Sequence, residues 1–85
     1  MARVVFAAGL RRFTGGAESL EIAARDVREL LAELYQRFPP LERRLAEGTA
    51  IAIDGEVLPR DEALYEPLRP ESEVHFLPQI GGGSD

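Results

Sequence analysis

The stretch "SLEIAARDVRELLAELYQRFPP", Ser19 to Pro40, changes its hydrophobic period halfway along. From Ser19 to Ala24, Leu20, Ile22 and Ala24 alternate with Glu21 and Ala23, the two-residue repeat of a half-buried strand. From Asp26 the spacing lengthens. Val27, Leu30, Leu31, Leu34, Tyr35 and Phe38 fall on one helical face, with Arg28, Glu29, Glu33, Gln36 and Arg37 between them. Asp26 stands where an N-cap belongs, and Glu29 is spaced to accept from the Asp26 backbone N–H, as in a capping box. Pro39 and Pro40 stop the helix, because neither donates a backbone hydrogen bond and each biases its predecessor away from helix. A strand followed by one amphipathic helix calls for a sheet that the helix can cover.

Working outward, "RVVFAAGL" from Arg3 to Leu10 predicts a first strand, with Val4 and Phe6 on one face and Val5 and Ala7 on the other. The Gly15-Gly16 turn in "RRFTGGAES" joins it to Ser19–Ala24 as an antiparallel hairpin. Beyond the prolines, "LERRLAE" predicts a short second helix ending at Gly48. The segment "TAIAI" from Thr49 turns Ile51 and Ile53 inward, Asp54-Gly55 marks a tight turn, and "EVL" resumes the sheet. "PRDEALYEPLRPES" reads as a loop with one helical turn, tacked to the core by Leu64, Tyr65 and Leu68. "SEVHFLPQI" then predicts a last strand, with Val74 and Phe76 on one face and His75 and Leu77 on the other. Periodicity alone predicts an α+β domain.

Composition excludes several classes of function. At 85 residues, 45% of them hydrophobic, the chain has enough apolar material for one modest core. It divides into a single domain over residues 1–80 and a flexible glycine tail over residues 81–85. The net charge of -5 argues against nucleic acid, where binding rests on neutralising phosphates. No apolar run approaches a membrane span, and the N-terminus lacks the pattern of a secretory signal, so a cytoplasmic protein is expected. Cys is absent and His75 is the lone histidine, which removes disulfides, thiol catalysis and a self-sufficient zinc site; no metal site is expected. All ten basic residues are Arg. Schiff-base chemistry and a phosphate-loop lysine are therefore absent, and no side-chain amine is available for conjugation. Gly15-Gly16 is then only a turn, and Asp61-Glu62 are solvated loop charges. Arg11-Arg12 and Arg43-Arg44 are candidates to meet an acidic partner surface, although as separate pairs they carry little weight.

The opening "VVFAAGLRRFTGG", the helix "DVRELLAELYQRFPPLERRL", the "AIDGEVL" strand and turn, and above all the closing "SEVHFLPQIGGG" resemble the small β-grasp sulfur carriers. That group includes the small subunit of molybdopterin synthase, the thiamin-pathway carrier, and carriers serving cysteine or thio-tRNA synthesis. The resemblance implies a ubiquitin-like β-grasp, a mixed sheet of four to five strands cradling one main helix. It also places Gly82 and Gly83 on the family's terminal diglycine, with Gly81 leading into it.

The resemblance further implies a carrier rather than an enzyme. The glycine carboxylate is adenylated by a partner similar to ubiquitin-activating enzymes, which uses ATP and Mg²⁺; the carrier binds no cofactor of its own. A sulfur donor then forms a thiocarboxylate, and the sulfur is delivered inside an acceptor enzyme, the molybdopterin synthase large subunit or its equivalent. Glycine suits this passage, since without Cβ the chain threads a narrow channel and leaves its acyl carbon open. The family's mature tail ends at the second glycine, whereas Ser84 and Asp85 follow Gly83 in this chain. The Gly83 carbonyl is then an amide, and the resemblance implies removal of Ser84 and Asp85 by a processing protease of the JAMM type.

Val5, Ala7, Val57 and Leu77 are expected on the sheet face away from the helix, where related carriers dock both partners. His75 reads as an exposed strand residue beside that patch rather than a base. Besides the molybdopterin-type carrier, three readings remain open at this level: a sulfur carrier for cysteine, thiamin or tRNA thiolation, a ubiquitin-like protein modifier, and a β-grasp interaction module with an inert tail.

Overall fold

The computed structural model describes residues 1–45 and 49–77, and its frame is a five-stranded mixed sheet in the order β2-β1-β5-β3-β4. The strands are β1 (Ala2–Val5), β2 (Ser19–Ile22), β3 (Ala50–Ile53), β4 (Glu56–Pro59) and β5 (Glu73–Leu77). β1 and β2 are antiparallel, β1 and β5 run parallel at the centre, and β3 pairs antiparallel with both β5 and β4. The last strand thus returns beside the first, as expected for a ubiquitin-like β-grasp.

The inner face follows from the two-residue repeat. Leu20, Val4, Val74 and Ile53 stand in one cross-strand row, and Phe76, Ile51 and Leu58 in the next. These side chains share one hydrophobic cluster with Val27, Leu30, Leu31 and Leu34 of α1 (Val27–Arg37). The helix accordingly buries the face that its spacing marked out. Its N-terminus is capped by Asp26, whose Oδ1 accepts from the Glu29 backbone N–H at 2.9 Å. The return contact differs from the expectation: Glu29 Oε1 accepts from the Arg25 N–H at 2.8 Å, not from that of Asp26. Asp26 also forms an antiparallel bridge to Pro67, and the Val27 and Arg28 N–H groups donate to the Glu66 and Leu64 carbonyls, so the loop before β5 satisfies two donors of the first turn directly.

Phe38 closes α1, donating its N–H to the Leu34 carbonyl, and Pro39 turns the chain into α2 (Pro40–Arg44). Gly48, the expected end of the second helix, lies outside the described residues. A one-turn helix, α3 (Arg60–Ala63), follows β4, which agrees with the single turn expected there.

Two expectations need correction. The first strand does not run to Leu10: β1 ends at Val5, and Ala8–Phe13 forms a 3₁₀ helix in which the Leu10 N–H donates to the Ala7 carbonyl. Ala7, Ala8 and Gly9 are poor strand formers, and turning there buries Leu10 beside Phe6 in the core. The β1–β2 connection is consequently a structured arch. Thr14 Oγ1 lies 3.1 Å from the Arg11 carbonyl and 3.0 Å from that of Ala17, and Gly15 and Gly16 take φ of 67° and 88°. The second correction concerns Tyr65, which is 72% exposed rather than tacked to the core; Leu64 and Leu68 do pack there. The Arg28 guanidinium lies 5.8 Å from the centroid of the Tyr65 ring.

Candidate functional site

On a pleated sheet the residues between those of the core row face outward, and the register sets their neighbours. Ser19, Val5, His75, Ala52 and Val57 are successive cross-strand partners, so one row crosses all five strands. The next row toward the end of β5 is Leu77, Ala50 and Pro59. On the opposite side lies a charged row, Glu21, Arg3 and Glu73. The outer face is therefore polarised, charged toward the start of β5 and apolar toward the end from which the glycine tail continues.

Val57 is 56% exposed and Leu77 43%. Val5 and His75 are half-buried, and Ala7 is exposed just beyond the end of β1. The structure thus gathers Val5, His75 and Val57 into one row with Leu77 in the next, as the alternation implied, while Ala7, expected on the same face, lies beyond the end of β1 and outside the strand pairing. Ala50 and Ala52 join them on the outer face, as follows from the inward direction of Ile51 and Ile53. Ala52 is only 9% exposed between the His75 and Val57 positions, which keeps the centre of the row low. His75 Nε2 lies 3.3 Å from Glu73 Oε1, at the border of the apolar and charged rows. Gly81, Gly82, Gly83, Ser84 and Asp85 lie outside the described residues.

The β3–β4 hairpin is fixed to the central strand at the charged end. Asp54 and Gly55 take φ of 51° and 90°, the paired positive angles of a type I′ turn. Asp54 Oδ1 accepts from the Glu73 N–H at 2.9 Å, and the Asp54 N–H donates to the Glu73 carbonyl at 2.9 Å. This clasp sets the register of β3 on β5 and hence the alignment of Val57 with His75. Among the described residues no three His, Asp or Glu side chains converge as metal ligands, and no helix is long and apolar enough to cross a membrane.

Residues 4–83 match the sequence profile of the ThiS family. The chain belongs to the ThiS family. It is a member of the ubiquitin-like β-grasp sulfur carriers, and the match extends through all three glycines, Gly81 to Gly83. No curated protein matches the sequence. Solved structures share the fold. A chain in the crystal structure of the Amycolatopsis orientalis BexX/CysO complex is 22% identical, with a TM-score of 0.82 over 98% of this chain and 100% of that one. The small archaeal modifier protein 1 from Methanosarcina acetivorans is 25% identical, with a TM-score of 0.79 over 96% of this chain and 95% of that one. A putative molybdopterin converting factor subunit 1 from Pyrococcus furiosus is 22% identical, with a TM-score of 0.70 over 93% and 97%. In this ThiS-family chain the strand that contributes His75 and Leu77 to the outer face is the one followed in the sequence by the diglycine.

Proposed function

We propose that this ThiS-family protein carries sulfur as a thiocarboxylate on Gly83 and docks its partners through the outer face of the sheet. The observation that carries the reading is the row Val5, His75, Ala52, Val57, to which β5 contributes His75, and β5 is the strand that the sequence continues to Gly82 and Gly83. A face that buries apolar area against a partner fixes the body, and the tail then reaches the partner's reaction centre. The carrier needs no catalytic group of its own.

The chemistry follows from the end group. Hydrolysis of the Gly83–Ser84 bond by a JAMM-type protease frees the Gly83 carboxylate. A carboxylate oxygen attacks the α-phosphorus of ATP on the adenylating partner, and pyrophosphate leaves. Sulfide then attacks the activated acyl carbon and AMP leaves, giving the thiocarboxylate. In the acceptor enzyme the thiocarboxylate sulfur displaces a leaving group from the substrate to form a carbon–sulfur bond, and water then cleaves the acyl–sulfur bond, leaving the sulfur on the substrate as a thiol and restoring the Gly83 carboxylate. ATP and Mg²⁺ are the partner's. The likeness to a putative molybdopterin converting factor subunit supports molybdopterin synthesis as the receiving pathway, with the synthase large subunit as acceptor. The BexX/CysO complex shows that a chain of this fold engages a partner protein.

The likeness to small archaeal modifier protein 1 favours a second reading in which activated Gly83 is transferred to amines on other proteins. Both uses need the same free glycine. Intact mass spectrometry of the cytoplasmic protein from its native host tests the proposal: the expected species ends at Gly83 with one sulfur in place of one oxygen. A chain that always retains Ser84 and Asp85 would overturn it. Higher-mass conjugates lost on Gly83→Ala substitution, with no thiocarboxylate, would transfer the assignment to the modifier reading.

A further inference from the structure

One arginine from each of two pairs that are distant in sequence lies against the same aromatic ring. Arg12, on the 3₁₀ helix, and Arg44, on α2, both lie against the Phe13 ring, with Cζ atoms 4.9 Å and 5.0 Å from its centroid. The two guanidinium carbons are therefore within about 10 Å of each other, on the order of one Debye length at physiological salt. Arg11 and Arg43 are their immediate neighbours in the chain. Arg11 is anchored as well, its Nε donating to the Phe6 carbonyl at 3.2 Å. Among the described residues no carboxylate forms an ion pair with any of the four. The 3₁₀ helix and α2 together hold four Arg and only Glu42 on the acidic side, in a chain of net charge -5.

The location of the cluster gives it meaning. β1 and β5 run parallel with Val5 beside His75, so the 3₁₀ helix that follows β1 lies at the same end of the sheet as Leu77, from which the tail continues. Phe6 and Phe38 meet edge to face there, with ring centroids 6.4 Å apart, which seats α2 at that end too. From Pro78 to Gly83 the chain spans at most about 20 Å when fully extended. With the tail inside a partner, the arginines stand at the channel mouth and not at the reacting carbonyl.

We propose that Arg11, Arg12, Arg43 and Arg44 form a cationic rim that meets carboxylates around the tail channel of the adenylating partner. This rests on the carrier reading, in that the tail is taken as the part that enters. Carboxylates are the fitting counterpart because a guanidinium pairs with them through two parallel hydrogen bonds, while the net charge of -5 argues against nucleic acid. A rim of this kind speeds and orients the encounter of an otherwise acidic protein, and it acts on the association rate more than on the lifetime of the complex.

Two measurements test the rim. In the first, the Arg Nε–Hε resonances of the full chain are followed while a hexaglutamate peptide is added; shifts confined to the four arginines are expected. Shifts that are absent or lie elsewhere would overturn the proposal. In the second, the chain ending at Gly83 is mixed with the native host's adenylating enzyme in stopped flow. Charge reversal by Arg12→Glu with Arg43→Glu should slow association about tenfold at low salt and flatten its salt dependence, leaving dissociation unchanged. Arg12→Lys with Arg43→Lys should restore most of the rate. Equal association rates for all three proteins, with unchanged thermal stability, would overturn the rim. Failure of the carrier reading registers separately, as a Gly83 terminus that is never thiocarboxylated while the peptide still titrates the arginines.

Discussion

Val5 stands directly beside His75 in the parallel pairing of β1 with β5. Through that pair the outer row runs from the first hairpin to Val57 at the far edge, and His75 sits two residues before the end of the strand that leads into the tail. Docking on this row therefore fixes where the glycine tail starts. The coupling of surface and tail is a property of the topology, because β5 lies inside the sheet with β1 on one side and β3 on the other.

Val57 is the most exposed apolar side chain of the row. Val57→Asp should leave the unfolding free energy within about 0.5 kcal/mol of wild type, since no core contact is lost. The same change should weaken binding of the adenylating partner at least about tenfold, or about 1.4 kcal/mol. Urea denaturation and calorimetric titration read the two effects, and unchanged binding would remove Val57 from the interface.

His75 borders the apolar row and contacts only Glu73 through its ring nitrogen among the described residues. As a docking residue rather than a base, His75→Gln should lower the rate of thiocarboxylate formation by less than about tenfold and keep the shape of its pH profile. Loss of a general base removes on the order of 10²-fold or more. A flattened pH profile in the variant would show that His75 moves a proton.

Asp54 clasps the hairpin turn to β5 through its carboxylate. Asp54→Ala should cost about 1–2 kcal/mol, combining the lost hydrogen bond with a positive φ that alanine resists. Asp54→Asn should cost clearly less, because asparagine keeps an acceptor and tolerates the left-handed region. Gly55→Ala has open space around the added methyl, so its cost, about 1–2 kcal/mol, should come from backbone conformation alone. Equal stability of all three variants in denaturant melts would contradict this account of the turn.

Phe6 is fully buried between the sheet and Phe38, whereas Tyr65 is largely in solvent. Phe6→Ala should cost about 3–5 kcal/mol. Tyr65→Ala should stay within about 0.5 kcal/mol. A large loss on removing Tyr65 would restore the packing role that its spacing in the loop suggested.

The contrast between those two aromatics shows what the sequence made legible. Where one period ruled a whole element, as over Val27–Phe38 and Val74–Leu77, the buried face could be read directly, and the outer row with His75 and Leu77 followed as its complement. The Asp54-Gly55 turn was equally plain, because few residue pairs accept two positive φ values. The arch from Phe6 to Glu18 was not legible as such, since Phe6 and Leu10 are both buried and four residues of strand or of 3₁₀ helix can place them so. The contact of Glu29 with the Arg25 N–H rather than that of Asp26 was not legible either, because the two donors are adjacent in the chain and spacing does not choose between them. The arginine rim was hidden for the same kind of reason: Arg12 and Arg44 are related only through Phe13, a contact between elements that no spacing along the chain encodes.

The central claim is that Gly83, freed of Ser84 and Asp85, carries the sulfur. The full chain and a chain ending at Gly83 are each incubated with the native host's adenylating enzyme, ATP, Mg²⁺ and sulfide, and their masses are compared. The account predicts replacement of one oxygen by sulfur on the Gly83-ended chain alone. Modification of both chains, or of neither in the presence of an enzyme that forms AMP with a carrier ending in diglycine, would contradict it.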